Sequence, residues 1–269
     1  YRTTSYQFNN TDHAANLFAL KEFGNIYTRI MNPTNDVLEK RVAALEGGLA
    51  CVTVGSGQAA STFSIVNVCQ SGDNFISSTD LYGGTVNLFT HTLKKLGIEV
   101  RYADPSDPKN FEKAIDDKTK LLFIETPANP NLDIIHIKGC AKLAEEHDIY
   151  LVVDNTFATP LLQRPLELGA HFVIHSATKY IGGHGDTVAG LLIGPKEITV
   201  QIRKTMTDTG GCISPFNAWL LLRGLKTLAV RMRKHCENAM HVAQYLSFHP
   251  KIKKVYFDRG RYKYHGRIK

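Results

Sequence analysis

The sequence Phe172-Val-Ile-His-Ser-Ala-Thr-Lys179 runs from a β-branched apolar stretch into two hydroxyls, Ser176 and Thr178, and an amine, Lys179. Lysines are rarely buried without a partner, so this one has two readings. The first is an amine held partly deprotonated by apolar surroundings and able to bond covalently to a carbonyl. The second is a loop lysine whose stem packs along a sheet. Gly182, Gly183 and Gly185 follow, which permits a tight turn or a close ligand approach. Asp186–Ile193 then reads as another apolar strand.

Other chemistry-bearing residues stand at comparable places. An apolar run at 120–124 ends in Glu125-Thr-Pro-Ala-Asn129, and one at 149–153 ends in Asp154-Asn155-Thr156. Ala50–Val54 runs into Gly55-Ser-Gly57-Gln58 and a helix reaching about Cys69. Strand, small-residue turn and helix can present backbone N–H groups to an anion. Gly-Ser-Gly lacks the spacing of a Walker loop or a dinucleotide fingerprint, and it also reads as a structural turn.

The elements that must position these groups alternate. Strands are expected at 50–54, 74–76, 99–102, 120–124, 149–153 and 172–174, with helices at 85–96, 108–115 and 136–147 between them. Several strands are apolar throughout, which predicts an α/β fold with a mostly parallel sheet sandwiched by helices. Ligands in such sheets sit beyond the carboxyl ends of the strands, where the acid, amide, hydroxyls, lysine and Gly-Ser-Gly turn would meet. Residues 1–35 read as polar and irregular, followed by a helix capped by Thr34 or Asn35 and ended by Gly47-Gly48. From Pro215 to Leu246 an apolar stripe predicts one long amphipathic helix, bent near Gly224.

The chain has 269 residues, 43% of them apolar and 21% charged, as in ordinary globular proteins. Its formal charge of +7 is concentrated in residues 251–269, which hold eight Lys/Arg against one Asp. The rest is balanced, so neither a nucleic-acid partner nor a membrane is expected. Cys51, Cys69, Cys140, Cys212 and Cys236 are odd in number and show no Cys-x-x-Cys, which suggests reduced thiols in the cytoplasm and no metal. His175 and His184 are expected to be structural.

An amine, a neighbouring aspartate and an anion cradle together suit pyridoxal 5′-phosphate (PLP), which needs a lysine, an anion beside its ring nitrogen and donors around its phosphate. Four stretches carry a closer resemblance: Ser176–His184, Val153–Phe157, Tyr27-Thr-Arg29 with Asn32-Pro-Thr34, and Gly55–Ala60. They resemble the Cys/Met-metabolism PLP enzymes over about residues 1–257. The resemblance implies the aspartate-aminotransferase type of fold. It implies Lys179 as the Schiff-base lysine, Asp154 as the partner of the ring nitrogen and Tyr82 as the residue that stacks on the ring and assists proton transfer. Gly57, Gln58, Ser176 and Thr178 match phosphate contacts, and Asn129 matches a residue near the cofactor. Tyr27 and Arg29 would reach a neighbouring subunit's cofactor, which implies a dimer within a tetramer.

The same resemblance implies a small amino-acid substrate. The reaction would be γ-replacement or γ-elimination on a homoserine- or homocysteine-type amino acid. Gly84 and Phe18–Gly24 look like O-acetylhomoserine sulfhydrylases, while Asp208–Leu246 looks closer to methionine and cystathionine γ-lyases. The expected organisation is an arm and helix at 1–47, a PLP-binding domain at 48–213, a linker helix at 214–257 toward a C-terminal domain and a basic tail at 258–269. The family pattern places its α-carboxylate-binding arginine in that C-terminal domain. After Val255-Tyr256 this sequence departs from the pattern, which raises a second class of reading: a PLP-binding chain without catalysis.

Overall fold

Strands that are apolar on both faces need cover on both faces, and the computed structural model supplies it. It describes residues 1–19 and 21–252. The chain opens with helices α1 (Thr11–Phe18) and α2 (Pro33–Glu46), then β1 (Ala50–Val54), α3 (Gly57–Val66), β2 (Asn74–Ser78) and α4 (Gly83–Asn87). It continues with β3 (Glu99–Ala103), α5 (Pro108–Glu112), β4 (Thr119–Glu125), α6 (Ile137–Glu146), β5 (Tyr150–Asp154) and α7 (Thr159–Leu162). It closes with β6 (Phe172–Ser176), β7 (Gly190–Gly194), α8 (Lys196–Thr209), α9 (Pro215–Leu225) and α10 (Leu228–Phe248).

The seven strands form one sheet in the order β1-β7-β6-β5-β4-β2-β3. Strands β2 to β6 pair in parallel, and β7 runs antiparallel to both β1 and β6. Strand β1 therefore points the same way as β6. The carboxyl ends of β1, β4, β5 and β6 share one edge, as the strand-end residues require.

Alternation along each strand divides the core. On β5, Val152 packs with Phe63, Phe123 and Met206, while Leu151 and Val153 pack with Ile137, Cys140 and Leu143. On β6, Val173 packs with Leu38 and Val42 of α2 and with Leu221 of α9. Phe75, Phe89 and Phe123 make successive edge-on contacts at 4.9 Å. Each fully buried side chain of this size contributes about 1.5–3 kcal/mol. Arg203 of α8 ties this scaffold to α2: its Nη2 donates to Glu39 Oε2 and to the Cys51 carbonyl. Burial pushes the Cys69 and Cys140 thiols up to about 12, and all five cysteines are free.

Several boundaries differ from the sequence reading. The N-terminal region is not irregular throughout: it forms α1, and Ser5 pairs with Tyr27 in an antiparallel bridge. Helix α2 is capped by Asn32, with Pro33 in its first turn, rather than by Thr34 or Asn35. Helix α3 ends at Val66, short of Cys69. The segment expected as one helix at 85–96 is an α-turn, then π-helix at Leu88–Thr92, then 3-10 helix at Leu93–Leu96. The helix expected at 108–115 stops at Glu112. The strand expected from Asp186 begins at Gly190, and α8 was not anticipated. The single bent helix is two, α9 and α10, separated at Lys226-Thr227. The expected basic tail and the last residues of the linker lie outside the described residues. Among the described residues, no helix is long and apolar enough to cross a membrane.

Candidate active site

A cavity of about 250 Å³ opens at the shared strand edge. Gly57, Gln58, Tyr82 and Asn129 line it, and so do Asp154, Ser176, Thr178 and Lys179. Eight of the ten expected residues thus meet in one place.

Asp154 ends β5 and is fixed through Thr156, whose N–H and Oγ1 donate to Asp154 Oδ1 at 3.0 and 2.5 Å. The same Thr156 Oγ1 accepts the Ser176 N–H at 2.8 Å. Both bonds to Asp154 fall on one oxygen, which leaves the other to the cavity. Burial pushes the Asp154 carboxyl up, against the Thr156 bonds and the nearby His175. Its register partner on β4 is Glu125. There, burial and then the Asp154 charge push the carboxyl up to about 7, against two backbone amide bonds. Two buried acids side by side make a place where a cation is favourable.

The anion side is built by α3. Ser56 caps the helix, with Oγ accepting the Ala59 N–H at 3.1 Å. The first amides of a helix have no intrahelical partner, so Gly57 and Gln58 bring donors to the cavity they line. A Cβ on Gly57 would lie 2.6 Å from the Ser176 Cβ, so glycine is what lets α3 abut β6 here. Thr178 Oγ1 accepts the Ala189 N–H at 3.1 Å and donates to its carbonyl at 3.3 Å, which pins the turn to the start of β7. Gln58 Oε1 is buried without a hydrogen-bond partner. Amides, hydroxyls, an amine and a carboxylate therefore fit a phosphorylated ring with a cationic nitrogen.

Lys179 lines the cavity and is exposed, which fits a lysine carried on a loop. The turn begins immediately after β6 and lifts the side chain off the sheet, with Lys179 N–H donating to the Ser176 carbonyl. Arg231 of α10 braces that turn. Its Nη1 donates to the Tyr180 carbonyl at 2.7 Å and its Nη2 to the Gly224 carbonyl at 2.9 Å. Gly183 has φ +70°, and a Cβ there would lie 2.1 Å from Arg231 Nη1.

Tyr82 stands half-exposed at the wall. A Cβ on Gly84 would lie 2.4 Å from the Tyr82 ring, so the missing side chain makes room for it. Tyr27 and Arg29 lie outside this cavity within the chain. The Arg29 guanidinium rests over the Tyr27 ring and donates to the Thr207 carbonyl.

Behind the strand ends, on the opposite face, lies a second buried polar group, in which Glu46 Oε2 and His175 Nδ1 have no hydrogen-bond partner. His175 Nε2 lies 2.6 Å from Glu46 Oε1, and both side chains are fully buried. Asn155 Nδ2 donates to the same Glu46 oxygen at 3.0 Å, and Gln163 Nε2 joins Asn155 Oδ1 to the Thr126 carbonyl. His175 is therefore structural, as expected.

The sequence reading missed Ser61, Phe157 and Val188 as wall residues. It noted Glu125 as a strand-end acid without assigning it to the site. The shared strand-end position was its available signal.

The mostly parallel sheet with these strand ends has known counterparts. An O-acetyl-L-homoserine sulfhydrylase of Leptospira meyeri is 44% identical over 95% of this chain and 67% of its own length. An L-methionine gamma-lyase of Treponema denticola is also 44% identical, over 96% of this chain and 65% of its own. The chain thus spans about two thirds of the length of the curated relatives it matches. The metY protein of Campylobacter jejuni, solved with an N′-pyridoxyl-lysine-5′-monophosphate, superposes with a TM-score of 0.91 at 40% identity. It is matched over 94% of this chain and 71% of that one. Cystathionine gamma-lyase of Lactobacillus plantarum, complexed with L-serine, gives 0.87 at 36% identity, over 94% and 64%. These neighbours share fold type I. The family description "Cys/Met metabolism PLP-dependent enzyme" matches residues 1–265, and the chain belongs to that family.

Proposed function

We propose that this chain holds PLP in the strand-edge cavity and supports γ-replacement on a homoserine-type amino acid, as an O-acetylhomoserine sulfhydrylase does. The observation that carries this reading is the convergence of Lys179, Asp154 and the α3 amides on one cavity. When bound, the cofactor supplies an electron sink for the negative charge that develops at the substrate α-carbon.

The chain's own groups have separable tasks. Asp154 would keep the ring nitrogen protonated by facing it with a carboxylate already oriented by Thr156. The Gly57 and Gln58 amides and the Ser176 hydroxyl hold the phosphate, and Thr178 would join them by turning its hydroxyl hydrogen from the Ala189 carbonyl. Asn129 stands near the cofactor ring. Tyr82 packs on the ring and helps move protons. The Lys179 amine takes the α-proton and then carries a proton at the β-carbon, so that the γ-substituent leaves and a thiol or sulfide takes its place.

In an assembled dimer, itself half of a tetramer, Tyr27 and Arg29 reach the neighbour's phosphate. An arginine fork suits that contact. The protein works in the cytoplasm. Domain limits follow the same reading: the arm and α2, the cofactor-binding sheet, and α9 and α10 as the link to a C-terminal domain. The relatives named methionine gamma-lyase support elimination as a second reading. Gly84, which resembles the sulfhydrylases, favours replacement, and the Tyr82 ring occupies the space a side chain there would need.

Borohydride reduction of the loaded chain followed by peptide mapping tests the assignment. The pyridoxyl group is expected on Lys179, and a label on another lysine refutes it. Release of homocysteine from O-acetylhomoserine and sulfide, against release of an α-keto acid from methionine, separates the two reactions in a full-length form.

A further inference from the structure

Glu125 stands in the cavity wall, yet neither the phosphate cradle nor the proton transfers proposed above use it. It is 6% exposed. Its Oε2 accepts the Tyr82 N–H at 2.9 Å, and its Oε1 accepts the Asn129 N–H at 2.9 Å. Those two amides belong to different segments: Tyr82 follows β2 and starts α4, and Asn129 lies in the loop after β4. Helix α4 has five residues and no side-chain cap at Tyr82. A second link between the same segments, Asn131 to Asp80 at 3.1 Å, is exposed. The buried carboxylate is therefore the principal fastening of this corner.

We propose that Glu125 is a positioning residue: its ionised carboxylate ties the Tyr82 segment to the Asn129 loop, and taking up a proton releases one of the two. A carboxylate accepts on both oxygens, whereas a carboxylic acid turns one of them into a donor. The protonated oxygen keeps only weakened acceptor capacity toward the N–H it faces, so that tie is the one that loosens. Burial and the Asp154 charge push Glu125 up to about 7, which puts the change in the neutral range.

The groups around Glu125 set its charge state from several elements. Asp154 on β5 opposes ionisation, the Tyr82 and Asn129 amides favour it, and Lys179 lines the same cavity. Asp80 lies in the Tyr82 segment, and the Glu46–His175 pair lies behind the sheet. The inference needs the cavity geometry and not the identity of the substrate, so failure of the proposed reaction would leave it standing.

Amide hydrogen exchange at Tyr82 and Asn129, resolved by residue in the full ligand-free chain and corrected for intrinsic rates, tests the tie. Local loss of a hydrogen bond to a charged acceptor speeds exchange by about tenfold or more. One of the two amides should lose that much protection between about pH 8.5 and about pH 5.5, while the β5 amides keep theirs. In Glu125→Gln, which keeps the shape but offers one acceptor, that amide should be unprotected at both pH values and the step should vanish. Equal protection of both amides at the two pH values in the parent chain overturns the proposal. So does parent-like protection of both in the variant. If the variant does not fold, the parent pH series decides alone.

Discussion

The ends of β4, β5 and β6 present opposite chemistry on their two faces. Glu125, Asp154 and Ser176 line the cavity, while their immediate successors or predecessor, Thr126, Asn155 and His175, join the network behind it. At the rear, His175 and Asn155 bond to Glu46, while Thr126 joins through its carbonyl and its hydroxyl accepts the Ile135 N–H. Of the front groups, Asp154 is bonded on one oxygen and keeps the other for the cavity, whereas Glu125 spends both oxygens on backbone amides. A single strand residue therefore separates a polar group that fixes the backbone from one that can meet a ligand. The alternation of strand side chains makes both possible without added length.

Breaking the rear face should have the largest effect, and the effect should be on folding. Glu46→Ala leaves the buried His175 without its partner, while Asn155 keeps its two bonds to Gln163, and loss of one member of a buried pair costs about 3–5 kcal/mol. Urea midpoints read this directly, and a variant within 1 kcal/mol of the parent (about a fivefold change in the folding equilibrium) would mean that the network is slack. Breaking the front face should spare the fold and remove chemistry. Asp154→Asn is expected to lower turnover by about 10² in a full-length form, about 2.7 kcal/mol of barrier.

The stability effect of Asp154→Asn has a defined sign. Burial raises the Asp154 carboxyl in the folded chain above its unfolded value. Its contribution is then fully present below the unfolded carboxylate range and is lost as pH rises through the raised value. The ligand-free variant should therefore be at least as stable as the parent at alkaline pH, and a clear loss there would move Asp154 to the rear group. The smallest expected effect sharpens the boundary between the faces. Gly57→Ala forces a Cβ to within 2.6 Å of the Ser176 Cβ. It should weaken PLP binding about tenfold, read by fluorescence titration, with a stability change of about 1 kcal/mol.

Apolar runs and their polar ends make the succession of strands and the strand-end residues readable from the sequence, while Tyr82, Gln58, Thr178 and Asn129 are readable only through the family resemblance. Strand direction was not readable: β7 has the same apolar composition whichever way it runs, and its reversal follows from pairing with β1 and β6. Helix α8 escaped notice although Thr199, Ile202 and Met206 recur at helical spacing, because charged and hydroxyl residues crowd the intervening positions. The π-helical stretch around Phe89 answers to packing against Phe75 and Phe123, which are distant in sequence. Lys179 stands in the cavity wall, and its exposure could not be read from its neighbours in the chain. Exposure depends on how far the turn lifts it from the sheet, and no local spacing encodes that. Glu125 looked like a strand-end acid, and only its two amide partners from separate loops distinguish it.

The Arg231 brace has a mechanical consequence. Helix α10 has 21 residues and is about 31 Å long. It is fastened near its beginning, where Arg231 grips the Tyr180 carbonyl and His235 packs edge-on against the Tyr180 ring at 5.3 Å. Its second half buries little besides Ala243. The helix is thus a lever whose fulcrum is the turn that carries Lys179. A load at its far end, near Phe248, is delivered with leverage to the backbone beside the amine.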